Sequence, residues 1–250
     1  MIDGEIADVF FFKIVELASE NGLISEEHFS VDGSVIDAWA SLKSFQRKDK
    51  VKTTDEDSDK GSGNQSVNFH GEVRRNETHE SKSDPDSKLY RKGKGKEAKL
   101  SYMGHVLMEN RNGLAIDVRL NEPGYDSEEN AALEMAQGIG DNKRKTLGGD
   151  KNYDRSDLTA GLEELNIASH ASQNIHPRRH KSSVTGRTSR HEGYQVSQKK
   201  RKKIEEIFGW LKTIGLMRRP MFRGKERMEW AFCFSASVYN LVRMSNLIPA

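Results

Sequence analysis

Apolar residues recur at helical spacing near the start of the chain: Ile6, Val9, Phe10, Ile14 and Leu17 mark one stripe, and Asn21-Gly22 is a natural stop. The pattern predicts an amphipathic helix over residues 5–21 that buries this stripe. HFSVDGS, residues 28–34, reads as a short strand with Asp32 at its end, and a moderately apolar stretch with Trp39, Leu42 and Phe45 follows it. Residues 99–120 carry two apolar runs around Asn110-Arg111-Asn112-Gly113, a β-hairpin signal. Residues 127–137 predict a helix with Ser127 as N-cap. KTLGGD is a short strand ending at Asp150, residues 154–166 a helix capped by Asp154 or Ser156, and IASHAS, residues 167–172, another strand. Residues 173–193 are basic and turn-rich, and one long helix is expected from about 195 to 213. The final stretch, 227–246, is apolar on nearly all sides, which predicts a buried helix. Helices and strands interleaved in this order suit a mixed three-layer α/β domain.

Between these elements, residues 46–98 change character. They hold 13 bases and 11 acids among Ser, Gly and Asn, with almost no aliphatics. Such a stretch buries too little apolar surface to offset its ordering entropy, so a long disordered loop is expected, ending in the basic, Gly-spaced RKGKGK. The chain then divides into a helix preceding the core (1–27), a first part of the core (28–45), the charged insertion (46–98) and the rest of the core (99–250).

Composition narrows the function classes. The chain has 250 residues, 34% of them hydrophobic, enough for one good-sized core. No run of 18 apolar residues exists, and the acidic start MIDGEIADVF is unlike a signal peptide. Cys233 is the one cysteine, so neither an internal disulfide nor a cysteine zinc cage can form, and a reducing cytoplasm is the default expectation. Within WAFCFSASVY it reads as a buried small hydrophobe. Net charge is +2, yet residues 1–32 carry eight acids and one base while residues 177–203 carry ten bases and one acid. That asymmetry suits a protein that presents one positive surface to phosphates, although a solvated basic helix would read the same.

Two carboxylates, Asp32 and Asp150, fall at the ends of predicted strands, where ligands collect in open α/β sheets. Glu205 lies on the predicted long helix. Arg201, Glu205 and Lys212 fall within about 60° of one helix face, beside the apolar face of Ile204, Ile207, Phe208, Leu211 and Ile214. Three converging carboxylates would make an all-oxygen site suited to Mg²⁺ and to in-line phosphoryl transfer. Periodicity alone leaves the plainer alternatives open: a lone strand-end Asp is ordinarily a turn residue, and Arg201–Glu205 an ordinary helix pair. His170, His176, His180 and His191 share one basic region without zinc-site spacing.

Arg201-x3-Glu205-x6-Lys212 resembles the Y-x2-R-x3-E-x6-K signature of a large group of bacterial insertion-sequence transposases. LGGDKNYDRSDL resembles that family's element around its second catalytic Asp, and FSVDGSVIDAWASLKSF the strand carrying the first. DPDSKLYRKGKGKEAKLSYMGHVLMENRNGL resembles the entry to the next two strands. The resemblance implies a ribonuclease-H-like fold and an Asp-Asp-Glu triad of Asp32, Asp150 and Glu205 holding two Mg²⁺ ions, with Mn²⁺ as a substitute. It implies DNA contacts by Arg201 and Lys212, joined by Lys151, Lys199 and Lys202, and structural roles for Tyr153 and Asp154. It also implies cleavage at the element's ends, strand transfer to target DNA, a homodimer on paired ends, and a bacterial, nucleoid-associated protein.

The chain departs from the family pattern in three places. Gln198 stands where the signature has Tyr, with Tyr194 one turn earlier as a substitute. Asn152 stands where the second motif usually has Gly, and Asn tolerates a left-handed backbone. The N-terminal region with which relatives recognise terminal repeats is also short, which suggests a truncated gene or one product of a split reading frame. Three readings follow: an active strand-transferase, a truncated non-catalytic DNA-binding protein that modulates transposition, and a nuclease that cuts without joining.

Overall fold

The structure is a computed structural model and describes residues 4–48, 74–93, 95–124, 127–175 and 182–248. His176 and His180 lie outside them, as do residues 49–73 of the charged insertion.

The central strand is β1 (His28–Asp37), longer than the hydrophobic pattern implies, so Asp32 sits within the strand and not at its end. The cause is its partner: β5 (Lys99–Glu109) pairs antiparallel with it from Phe29↔Glu109 to Asp37↔Ser101, which keeps the backbone extended through the polar Asp32-Gly33-Ser34. On the far side of β5, β6 (Ala115–Asn121) completes the hairpin expected there. On the other side of β1, β7 (Lys145–Gly149) pairs parallel, and β8 (Ile167–Ala171) pairs parallel with β7. An antiparallel meander and two parallel strands thus share β1, giving the expected ribonuclease-H-like mixed sheet flanked by helices.

Helices cover both faces. On one lie α1 (Gly4–Glu20), α6 (Lys203–Thr213) and α7 (Lys225–Leu247), packed with Ile36, Tyr102, Val106 and Met108. On the other lie α2 (Ser127–Ile139), α3 (Ser156–Glu164) and, through Tyr194, α5 (Glu192–Lys200), packed with Phe29, Val31, Leu107 and Leu147. A short α4 (Gly186–Ser189) precedes α5. Strand alternation sorts β1 accordingly: Asp32, Ser34 and Ile36 face the α6 layer, and Val31 and Gly33 face the α2 layer.

Several expectations change. The first helix forms, but its buried stripe is Ala7, Phe11, Ile14 and Ala18, while Ile6 and Val9 are 63% and 68% exposed. The small Ala7 and Ala18 let α7 approach closely, and the Cys233 thiol, buried as expected, donates to the Ala7 carbonyl. α7 is likewise one-sided, with Phe234, Leu241 and Val242 exposed. The long helix is two, broken at Arg201-Lys202, where Ile204 N–H and Glu205 N–H bond three residues back. Ile214, placed on the buried face of that helix, is exposed.

Within the stretch read as a charged insertion, β3 (His79–Ser81) pairs with β2 (Phe45–Arg47), and β4 (Lys88–Tyr90) joins the main sheet on β5. Polar contacts order this segment where aliphatics are lacking. Asp84, fully buried, accepts from the Tyr102 hydroxyl (2.7 Å) and the Gly224 amide (3.1 Å), and Asp86 accepts from the Lys225 amide (2.8 Å), so the pair caps α7.

Packing at Gly104 on β5 is tight: a Cβ there would stand 2.8 Å from the Phe232 ring and 2.9 Å from Ile36 Cδ1. Gly104→Ala is therefore expected to cost about 1–3 kcal/mol. A urea-melt midpoint equal to that of the unsubstituted protein would refute this overpacking.

Candidate active site

β1 and β7 stay paired only from His28↔Thr146 to Ser30↔Gly148 and then diverge. Carrying that register on by two residues puts Asp32 beside Asp150, at the mouth of the notch between the two strands. Asp150 ends β7 by capping the following 3₁₀ turn, its Oδ1 accepting from the Asn152 amide at 2.7 Å. Asn152 does not take the left-handed backbone expected of a glycine substitute; its side chain instead donates to Glu128 at 3.3 Å. Burial pushes the Asp32 carboxyl up to about 7. The Gly33 amide opposes that shift, Asp150 and Glu128 add to it, and Arg201 opposes it. Asp32, Asp150 and Glu128 thus act on one another at the mouth, with Arg201, Lys92 and Arg155 opposing them.

From one face α6 runs along β1. Arg201, at the α5–α6 joint, has its Cβ 3.6 Å from where a Gly148 side chain would begin, level with Ser30. Lys203 donates to the Arg111 carbonyl (2.7 Å), and Lys212 donates to Ser34 Oγ (2.6 Å), two residues beyond Asp32. Glu205 lies between Arg201 and Lys212, exposed, on the same helix face as Lys212. Among the described residues no three His, Cys, Asp or Glu side chains are already gathered as a metal shell. The fold brings Asp32 near Asp150 and leaves Glu205 exposed on α6.

Lys151, Lys199 and Lys202 are exposed. Lys212 is not a free surface cation: it is half-buried on Ser34, and burial pushes its ammonium below the ordinary lysine value. Lys92, from the RKGKGK run, bears on both Glu128 and Lys212, which brings that loop beside the same mouth.

Tyr194 does not take the place of the signature tyrosine. Its ring packs edge-on against His170 and its hydroxyl donates to the Ala171 carbonyl at 3.0 Å, which fastens α5 to β8. Gln198 occupies the position and does different work. Its amide donates to the His170 carbonyl (2.6 Å), and its oxygen accepts from Ser172 (2.6 Å) and Arg201 Nε (3.2 Å), fixing the arginine. Asp154 does not cap α3, whose N-cap is Arg155; it accepts from the Asn174, Ser183 and Val184 amides and ties together the two ends of the basic loop. Ser127 opens α2, but its hydroxyl is buried without a partner among the described residues. Nothing in the sequence singles out Glu128 or Gln198: one reads as an acidic first-turn residue, the other as a departure from a motif.

Three comparisons with known proteins complete the picture. No curated protein matches the chain. Among solved structures, the chain resembles the piggyBac transposase synaptic complex with hairpin DNA at 7% identity and a TM-score of 0.43, over 88% of this chain and 48% of that one. It resembles the Mos1 mariner paired-end complex with Mn at 10% identity and a TM-score of 0.28, over 94% and 60%. It resembles the simian T-cell lymphotropic virus intasome bound to a PP2A regulatory subunit at 16% identity and a TM-score of 0.30, over 46% and 34%. The chain therefore spans between a third and three-fifths of the length of these structures. The model of the transposase DDE domain matches residues 63–241, well over half of the chain, with Asp150 and Glu205 inside the match and Asp32 before it. By that match the chain belongs to the DDE transposase domain family.

Proposed function

We propose that this protein is a bacterial insertion-sequence transposase that cleaves double-stranded DNA at the element's ends and joins them to target DNA, with Asp32, Asp150 and Glu205 as its acidic triad. The observation that carries this reading is the β1–β7 register, which sets Asp32 beside Asp150, with α6 laid along the same face of β1. Carboxylate oxygens from Asp32 and Asp150 fit a hard cation: Mg²⁺, as two ions, or Mn²⁺ in its place. Such ions supply activation of the attacking oxygen and stabilisation of the leaving one.

The chain's own residues orient the reactants. Asp32 is held by the Gly33 amide and Asp150 by the Asn152 amide, so both carboxylates are fixed before DNA arrives. Gln198 aims Arg201 over β7, where its guanidinium would grip a phosphate near the scissile bond. Lys151, Lys199 and Lys202 extend a basic rim for the duplex, and Lys212 would exchange Ser34 for a phosphate. In each step one P–O bond forms as one breaks: water first releases the element's 3′-hydroxyl, which then attacks the target. A homodimer on paired ends would deliver both ends together.

The test is strand nicking and joining on labelled DNA bearing the flanking element ends, with Mg²⁺ or Mn²⁺, beside Asp150→Ala. Metal-dependent nicking and joined products are expected, with nicking reduced about 10³-fold or more in the variant. DNA binding without cleavage in either protein would overturn the strand-transferase in favour of a non-catalytic binder, and cutting without joining would leave a nuclease.

A further inference from the structure

The notch between β1 and β7 is open to both helical layers, because β7 stops pairing at Ser30 and leaves Asp32 and Gly33 without a neighbour on that side. α6 lies against β1 from one layer, with Lys212 on Ser34. From the other, the first turn of α2 brings Glu128 up to Gly33. Its Cγ and Oε1 lie 3.3 Å from the point where a Gly33 Cβ would stand. The same carboxylate accepts from Asn152, whose amide is held by Asp150, so Glu128 is tied through one residue to the second strand-end carboxylate.

A cluster of acids alone would not make a site. Two buried polar side chains at the same place are independent of it. His105 is 0% exposed, has no hydrogen-bond partner among the described residues on either ring nitrogen, and holds Nδ1 3.0 Å from the same Gly33 Cβ point. Tyr153 is 2% exposed, its hydroxyl is also unpartnered among the described residues, and the charges that bear on it are those of Asp32, Glu128 and Asp150. Orphaned buried polar groups are rare in native proteins and call for a partner. His105 borders the one position in β1 that lacks a side chain, and Tyr153 packs on Gly149 at the end of β7, within reach of all three carboxylate charges.

We propose that Glu128 is a fourth acidic residue of the site, a carboxylate that reaches the divalent cation held by Asp32 and Asp150 from the α2 side, opposite Glu205. This rests on the transposase reading above. With a cation bound, Glu128 would turn from Asn152 toward the notch, and water carried in with the cation would give His105 and Tyr153 partners. Gly33 is required because any side chain there would stand in Glu128's way.

Mn²⁺ binding to the full chain without DNA, followed by electron paramagnetic resonance of the free ion, tests this apart from turnover. Glu128→Gln keeps the size of the side chain and an acceptor for Asn152 but removes the charge. It is expected to weaken Mn²⁺ binding about tenfold or more while the thermal melt of the metal-free protein stays cooperative. Gly33→Ala, which leaves Glu128 in place but crowds it, is expected to weaken Mn²⁺ binding several-fold. Wild-type affinity in Glu128→Gln, with affinity lost in Asp32→Asn, would overturn the role of Glu128 and leave the triad standing. No Mn²⁺ binding by the unsubstituted protein would overturn both.

Discussion

Asp32→Asn is expected to abolish strand cleavage and, in the metal-free protein at pH 8, to raise the melting temperature. The two effects share one cause. Asp32 is held between buried strands with Asp150 and Glu128 close by, and its carboxyl is pushed up from 3.8 to about 7. Below pH 4 the group carries its proton in both folded and unfolded chains and contributes nothing to pH dependence. Between pH 4 and 7 the unfolded chain gives up the proton while the folded one retains it, so folding loses stability as pH rises. Above 7 the penalty is complete. A shift of this size corresponds to about 2–4 kcal/mol after local relaxation, or about 5–10 °C for a chain of this length.

The amide introduced by Asp32→Asn would keep an acceptor for the Gly33 N–H and remove the charge, so the gain in melting temperature should be near zero at pH 4 and full at pH 8. Adding Mg²⁺ at pH 8 should reverse the order, because a ligand that binds only the folded state stabilises only the protein that can bind it. An advantage of the same size at pH 4 and pH 8 would show that the charge of Asp32 is not what burdens the fold.

Hydrophobic periodicity located the hairpin, α2, α3 and β8, because each buries an apolar face in a continuous run. It misplaced the buried face of α1, since the larger apolar residues Ile6, Val9 and Phe10 outweigh the small Ala7 and Ala18 in any hydrophobic count, yet close approach to α7 selects the small ones. It could not see β3 and β4, whose order comes from Asp84, Ser87 and Asn76 bonding to distant backbone or neighbouring turns. It ran one helix through Arg201-Lys202, where the break is a matter of backbone bonding with no proline or glycine to announce it.

At the site, Asp32, Asp150 and Glu205 could be nominated because they fall in motifs. Glu128 and Gln198 could not, because their significance lies in what the sheet brings next to them. The long β1 has the same origin: its polar centre is extended only because β5 pairs with it along its length.

Glu109→Ala is expected to be the most damaging substitution outside the site. Glu109 ends β5 and is fully buried, with no lysine or arginine paired to it among the described residues. Its Oε1 accepts from the Asn112 amide (2.6 Å) and the Leu114 amide (3.3 Å), and its Oε2 from the Arg111 amide (2.9 Å) and the Ser25 amide (3.3 Å). The carboxylate thus shapes the hairpin turn from within and ties it to the loop before β1. The turn in turn supports other elements: Arg111 donates to the Gly22 and Ile24 carbonyls, Lys203 of α6 donates to Arg111, and Tyr239 of α7 donates to Gly113.

Truncation leaves buried amides without an acceptor and a cavity that water fills poorly, a loss of about 3–5 kcal/mol, or roughly 10 °C. Glu109→Gln should fall between, since one of its two acceptor oxygens becomes a donor facing donors. Because α6 is held at its start by this turn, Glu109→Gln should also slow DNA cleavage more than it lowers stability at the assay temperature. Urea melts that place Glu109→Ala within about 1 kcal/mol of the unsubstituted protein would mean the turn is shaped by its Asn-Gly backbone alone, and the carboxylate merely occupies it.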